Sequence, residues 1–285
     1  MSKFVLSAFG DEIAAGLKTQ LDVLEEHDIR YIELRGVDGR NLVDYSLEEA
    51  AGIKEILDKR RIGVSSIGSP VGKIGIQDDF DAHLQLFRHT LDLARLFGTE
   101  YIRMFSFYIP EGNDPLLYRD EVLRRWREFI RAAAGTGITL LHENEKHIYG
   151  DTAERCLDLL ESLDCPMVRA VFDPANFVQC GVETYPHAYS LLKNHIGYMH
   201  IKDALFRDSS VVPAGYGDGH VEEILRELHQ SGFEGFLSIE PHLGSFAGFA
   251  ALEPHAKVNR LPEGGPKQFS IAVYALKKVL NKIYG

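Results

Sequence analysis

Four short apolar runs in the C-terminal half of this 285-residue chain each end in a residue that can bind a metal. They close on Glu143, Asp173, His200 and Glu240, which lie 30, 27 and 40 positions apart. Each interval is about the length of one strand–helix repeat, the last with extra loop. If each run is a strand of one parallel barrel, the four side chains reach the same rim, where such barrels keep their chemistry. Three carboxylates and one imidazole form a site for a divalent ion: Mg²⁺, Mn²⁺, Co²⁺ or Zn²⁺. Such an ion can hold two adjacent oxygens of a sugar and stabilise an enediolate between them. Two carboxylates on opposite sides of the carbon chain can remove and return a proton.

Each residue alone has a plainer explanation. Asp173 precedes Pro174, the pattern of a helix N-cap. Glu143 competes with Glu145, two residues on, and either can simply be solvated. A lone His200 can be a hydrogen-bonded rim residue, and Glu240 before Pro241 an ordinary loop residue. The joint occurrence favours the metal, because four separate plain explanations must otherwise hold together.

The elements that must position these groups alternate along the chain. Runs rich in β-branched and aromatic residues predict strands over 4–9, 31–34, 63–67, 101–105, 138–143, 168–173, 196–201 and 235–240. Amphipathic stretches lie between them, such as the stripe Leu17, Leu21 and Leu24, and a last helix is expected over 271–283. Eight βα units in one composition regime predict a single (β/α)₈ TIM barrel domain over 1–285. The rival, an open doubly wound sheet, wants a glycine-rich phosphate turn after its first strand. Here Gly10-Asp11-Glu12 follows instead. Positions 241–266 read as one long βα loop that covers or completes the mouth.

Bulk properties narrow the function. A net charge of −11 with no basic face argues against nucleic acid. The densest basic stretch, Arg124, Arg125, Arg127 and Arg131, is interleaved with Trp126, Phe129 and Ile130 as on a helix face. The three cysteines, Cys156, Cys165 and Cys180, form no CxxC and read as small buried hydrophobes. No leader or membrane-span pattern is present, so a cytoplasmic location is expected.

Several local motifs resemble the xylose isomerase-like (β/α)₈ barrels, in particular the sugar phosphate isomerase/epimerase branch. They are His142-Glu143-Asn144-Glu145, Phe172-Asp173-Pro174-Ala175-Asn176, His200-Ile201-Lys202-Asp203, Gly215-Tyr216-Gly217-Asp218-Gly219 and Ser238-Ile239-Glu240-Pro241. The first half agrees in pattern only, through Ser7 to Glu12, Tyr31 to Arg35 and Arg103 to Phe105. The resemblance implies that Glu143, Asp173, His200 and Glu240 bind the metal. It implies further that Glu143 and Glu240 double as the proton-transferring pair, acting on a small sugar or polyol. Several relatives carry a histidine where this chain has Asn176. Asparagine does not titrate, so Asn176 is expected to orient a hydroxyl. Barrels of this kind are often homo-oligomers.

Secondary substrate-binding candidates are Lys202, Arg207 and His147, with Asp203 beside them. Lys202 either holds a substrate oxygen or pairs with Asp203 or Glu145. Arg207 can reach a substrate oxygen from its loop, and His147 follows the fifth strand. Glu33 and Arg103 are expected to pair as a structural bridge at the rim.

Three other functions compete. A metal-dependent dehydratase of a cyclic keto polyol, such as an inosose, would use the same enediolate and expel a hydroxyl. An AP-endonuclease-like DNA repair enzyme would need extra histidines for a three-metal cluster; strands two to four supply none, and His83 and His89 fall inside a helix pattern. A non-catalytic sugar binder has no need of paired proton-transfer carboxylates.

Overall fold

A computed structural model of the chain describes residues 3–243 and 265–285. All eight expected runs are strands: β1 (Lys3–Ala8), β2 (Tyr31–Leu34), β3 (Gly63–Gly68), β4 (Tyr101–Met104), β5 (Thr139–Glu143), β6 (Val168–Phe172), β7 (Ile196–Ile201) and β8 (Glu234–Ile239). They pair in the order β1-β8-β7-β6-β5-β4-β3-β2, and every pairing is parallel. A lone parallel bridge between Phe9 and Glu33 brings β1 back beside β2. The ring is therefore nearly closed, and the open-sheet alternative falls away.

Helices follow the strands: α1 (Leu17–Glu26), α2 (Leu47–Arg60), α3 (Phe80–Phe97), α4 (Arg119–Ala133), α5 (Ala153–Leu163), the short α6 (Pro174–Gln179) and α7 (Tyr189–Leu192), α8 (Val221–Gln230) and α9 (Pro266–Tyr284). Their boundaries have local causes. Ser46 and Glu49 form a reciprocal capping box at the start of α2. Pro266 at its first turn lets α9 begin five residues before the sequence pattern suggests. Each apolar face is buried; Leu21 and Leu24 of α1 are 0% exposed. Burying one such side chain stabilises by about 1.5–3 kcal/mol. The long loop expected over 241–266 lies, between 244 and 264, outside the described residues.

The strands are pleated, so alternate residues enter the barrel. Tyr31 meets Phe236 with ring centroids 5.0 Å apart, and Tyr101 meets Tyr198 at 6.0 Å. Neither pair belongs to neighbouring strands, so these contacts run through the barrel interior. Two residues further along the same strands stand Glu33, Arg103 and His200. Below the mouth the interior is thus an aromatic plug, and at the mouth it becomes charged. No helix among the described residues is long and apolar enough to cross a membrane.

Candidate metal centre

Glu143 is the last residue of β5 and His200 lies near the end of β7. Asp173 and Glu240 are the first residues beyond β6 and β8. One ligand atom from each of the four lies within 4.8 Å of all the others. All four residues are buried, Asp173 and His200 at 0% exposure. His200 Nδ1 is 3.0 Å from Glu143 Oε1, 3.6 Å from Glu240 Oε2 and 3.9 Å from Asp173 Oδ2.

Asp173 serves both roles that its sequence context suggests. Its Oδ1 caps α6 by accepting the Asn176 amide at 2.9 Å. Its Oδ2 is buried and accepts no hydrogen bond. The neighbouring Asn144 clamps this turn, accepting from Asp173 N at 2.9 Å and donating to Asp173 O at 2.9 Å.

The other carboxylates are held by cations. Asn176 Nδ2 donates to Glu143 Oε1 at 3.1 Å, and Arg103 Nη1 lies 3.4 Å from Glu143 Oε2. Glu240 Oε1 accepts from Arg35 Nη1 and meets His242 Nε2, each at 2.9 Å. Arg35 also forks onto Asp11 and reaches Glu12, with its own side chain only 4% exposed. Lys202 Nζ stands 3.0 Å from Asp173 Oδ2 and 3.2 Å from Glu240 Oε2.

These contacts decide the charge states. Burial works to raise Glu143, but His200 and Arg103 outweigh it and hold the carboxyl below its usual range. Burial acts likewise on Glu240, where Lys202 and His242 win by a wide margin. Asp173 is pushed up to about 6 by burial, against the pull of Lys202. Burial disfavours a charged His200, yet Glu143 and Glu33 raise it well above an ordinary histidine.

The donor set fits a divalent cation. Among the described residues, Asp11, Glu12, Glu33, Glu143, Asp173 and Glu240 are linked through ion pairs to three permanent cations, Arg35, Arg103 and Lys202. The excess is negative, and a proton on His200 offsets only part of it. Asp173 Oδ2 has the Lys202 ammonium at 3.0 Å but takes no aligned hydrogen bond, and a surplus of buried negative charge is costly. A divalent ion on these oxygens and the imidazole would remove that cost and release the His200 proton.

The structure places the remaining candidates differently. Asn176 and Lys202 stand against the quartet. Arg207 is 76% exposed and beside Asp208, and His147 is exposed on a loop with φ of 66°. Neither is brought to the quartet. Asp203 is a loop anchor: it accepts the amides of Ala204, Gly215, Gly217 and Gly219 at 2.8–3.0 Å. A Cβ on Gly217 would stand 2.3 Å from Asp203 Oδ1 and 2.5 Å from Ala204 O, so only glycine fits this turn. Lys202 therefore pairs with neither Asp203 nor Glu145, because strand alternation turns it with His200 into the mouth. Glu145 lies beyond the strand and pairs with Lys73 at 3.3 Å and Lys146 at 3.3 Å.

The expected Glu33–Arg103 bridge does not form. Arg103 turns to Glu143, and Glu33 points beneath His200, where the Tyr198 hydroxyl donates to it at 2.9 Å. Helix α3 carries His83 and His89; His83 accepts from Gly72 N and His89 meets Tyr45 O, so both are structural. All three cysteines are free, Cys156 buried and the other two partly so. Sequence reasoning missed the Arg35 fork and His242. Their signal was faint: Arg35 continues the inward alternation Tyr31, Glu33, Arg35.

With this geometry in view, comparison defines the family. The xylose isomerase-like TIM barrel model matches residues 21–260, and the chain belongs to that family. A D-tagatose 3-epimerase-like protein is similar in structure, with a TM-score of 0.77, 17% identity and 98% of each chain covered. The probable 3-DHS dehydratase AsbF of Bacillus anthracis has a TM-score of 0.71 and 18% identity over 97% of this chain and 99% of its own. An IolI protein with a bound zinc atom has the same score and identity over 98% and 99%. At these identities the likeness shows a common fold. No curated protein matches the chain significantly.

Proposed function

We propose that Glu143, Asp173, His200 and Glu240 hold a divalent metal ion, and that the chain is an enzyme that isomerises or epimerises a small keto sugar or polyol. The convergence of three carboxylates and one imidazole, all buried at the C-terminal mouth, carries this reading. When bound, the ion would neutralise charge developing on two adjacent substrate oxygens.

The chain's own residues supply the proton traffic. Glu143 and Glu240 come from strands separated in the ring by β6 and β7. Both are held ionised, so either can take a proton from the carbon beside the carbonyl and become the carboxylic acid. The other returns a proton from the opposite side after taking one from water, and the first then gives its proton back to solvent. Arg35 and His242 fix Glu240 through Oε1 and leave Oε2 toward the quartet. Asn176 fixes Glu143 through Nδ2, and its amide oxygen Oδ1 can accept from a substrate hydroxyl. The Lys202 ammonium, buried and aimed at the same centre, is a donor for a substrate oxygen. The similar epimerase-like structure agrees with this chemistry.

A second reading, dehydration of a cyclic keto polyol, draws on Lys202. After the same proton abstraction, a β-hydroxyl leaves and needs a proton to depart as water, and Lys202 is a buried donor beside Asp173 and Glu240. The similar probable dehydratase is consistent with it.

Metal-stripped protein, reconstituted with Mn²⁺, Mg²⁺, Co²⁺ or Zn²⁺ and given a ketose and inosose panel, separates the two. An epimer or isomer in the NMR spectrum supports the first reading and an unsaturated ketone the second. A panel left unturned by every metal form contradicts both.

A further inference from the structure

We propose that Glu33 is the positioning residue of His200: its carboxylate takes the Nε2–H of the imidazole and so presents Nδ1 to the three carboxylates. The inference rests on the metal reading above and concerns a residue outside the quartet.

The two nitrogens of His200 face different surroundings. Nδ1 has Glu143, Glu240 and Asp173 within 3.9 Å. Nε2 has Glu33 Oε2 at 3.3 Å. That contact is not aligned as a hydrogen bond, and Nε2 has no other hydrogen-bond partner among the described residues. Nor does Glu33 Oε1.

Glu33 itself has few ways to satisfy its charge. It is 0% exposed on β2. None of the described lysines or arginines pairs with it, since Arg103 is committed to Glu143. A buried carboxylate without a cation or a set of donors is costly. Its neighbours are the imidazole and the Tyr198 hydroxyl, which donates to Oε2 at 2.9 Å. That hydroxyl is pinned in turn: Ser65 Oγ lies 2.9 Å from it, and Ser7 Oγ lies 2.6 Å from Ser65 Oγ. The chain Ser7, Ser65, Tyr198, Glu33 thus anchors the carboxylate to the barrel floor. Phe9, edge-on to His200 with centroids 5.2 Å apart, blocks another side of the ring.

A histidine that binds a metal through one nitrogen commonly gives its other N–H to a carboxylate, which sets the tautomer and orientation. Glu33 is placed for that task. With Nε2 protonated and directed at Glu33, the lone pair falls on Nδ1, the nitrogen beside the quartet.

The test compares Mn²⁺ binding to metal-free wild type, Glu33→Gln and Tyr198→Phe, with ¹⁵N-histidine NMR of the Zn²⁺-loaded proteins. Glu33→Gln should weaken Mn²⁺ binding roughly 10- to 100-fold and shift the His200 Nε2–H signal, with the melting temperature of the metal-free protein little changed. Tyr198→Phe should move both readouts the same way by less. Affinity within twofold of wild type and an unmoved Nε2–H signal in Glu33→Gln would overturn the proposal while leaving the metal reading intact. Wild type that binds no Mn²⁺ or Zn²⁺ would overturn both. If Glu33→Gln fails to fold, Tyr198→Phe decides: an unmoved signal and affinity overturn the proposal.

Discussion

The barrel mouth is built in two halves that handle charge in opposite ways. The side of β2 to β4 supplies permanent cations, each held by carboxylates and by an aromatic face. Arg35 lies 4.4 Å from the Phe9 ring centre, and Lys73 and Arg103 lie 4.4 and 4.6 Å from that of Phe105. The side of β5 to β8 supplies acceptors, among them Asp173 Oδ2, which meets the Lys202 ammonium at 3.0 Å but takes no aligned hydrogen bond. The fixed cations aim the carboxylates, and the surplus acceptors are where the proposed divalent ion would be held. Lys202 is the exception, a permanent cation on the acceptor side.

The two halves should therefore break in different ways. The largest effect belongs to the acceptor side. Glu240→Gln should cut turnover roughly 10²- to 10⁴-fold while the far-ultraviolet CD spectrum and the melting curve stay native-like. Near-normal turnover would contradict its assigned role.

On the cation side the damage should fall on stability. Arg35→Met leaves Asp11, Glu12 and Glu240 without their shared partner in the interior. Denaturant unfolding should show a loss of about 3–5 kcal/mol. A loss below about 1 kcal/mol would mean that Arg35 does not hold these carboxylates together.

The same half carries an acid-sensitive support. His83 Nε2 accepts from Gly72 N at 2.7 Å, next to Lys73, and burial with help from Arg125 pushes its pKa down to about 4. In the unfolded chain this histidine titrates near 6.5. Between pH 6.5 and 4 the unfolded state therefore binds more protons, and stability falls as pH falls. The contribution at stake is about 3 kcal/mol. His83→Gln, which keeps an acceptor but does not titrate, should flatten this part of the stability–pH curve.

A smaller effect separates the two roles of Asp173. Asparagine caps helices as well as aspartate and Lys202 keeps Glu240 at 3.2 Å, so Asp173→Asn should keep the α6 cap and lower the metal-free melting temperature less than Arg35→Met does. Metal at a hundred times its Kd should stabilise wild type by about 2.7 kcal/mol. Asp173→Asn should lose most of that gain; an equal gain would make Asp173 a cap alone.

How far the sequence could be read follows from the range of the interactions. Strand register and strand ends depend on local patterning, so the eight strands, the nearly closed ring and the meeting of Glu143, Asp173, His200 and Glu240 were legible. The wiring around them was not. Arg35 meets Glu240 from 205 positions away, and Tyr198 meets Glu33 from 165. Pattern shows that each points inward, but not which partner it takes across the barrel. The expected Glu33–Arg103 bridge failed for that reason: Arg103 had a nearer carboxylate in Glu143, on the adjacent strand β5. Where Arg207 and His147 stand was not legible either, since exposed loops carry no periodicity that aims a side chain; both lie away from the quartet.

The central claim is that the acceptor half binds a divalent ion that the chain needs for proton transfer on a sugar carbon. Deuterium exchange tests it most directly. Metal-stripped protein and its Mn²⁺-, Mg²⁺-, Co²⁺- and Zn²⁺-loaded forms would be incubated in D₂O with the ketose and inosose panel and followed by NMR. The account predicts deuterium at the carbon beside the carbonyl of at least one compound, only with metal present, and none with Glu240→Gln. Equal exchange without metal, or none with any metal on any compound, would contradict it.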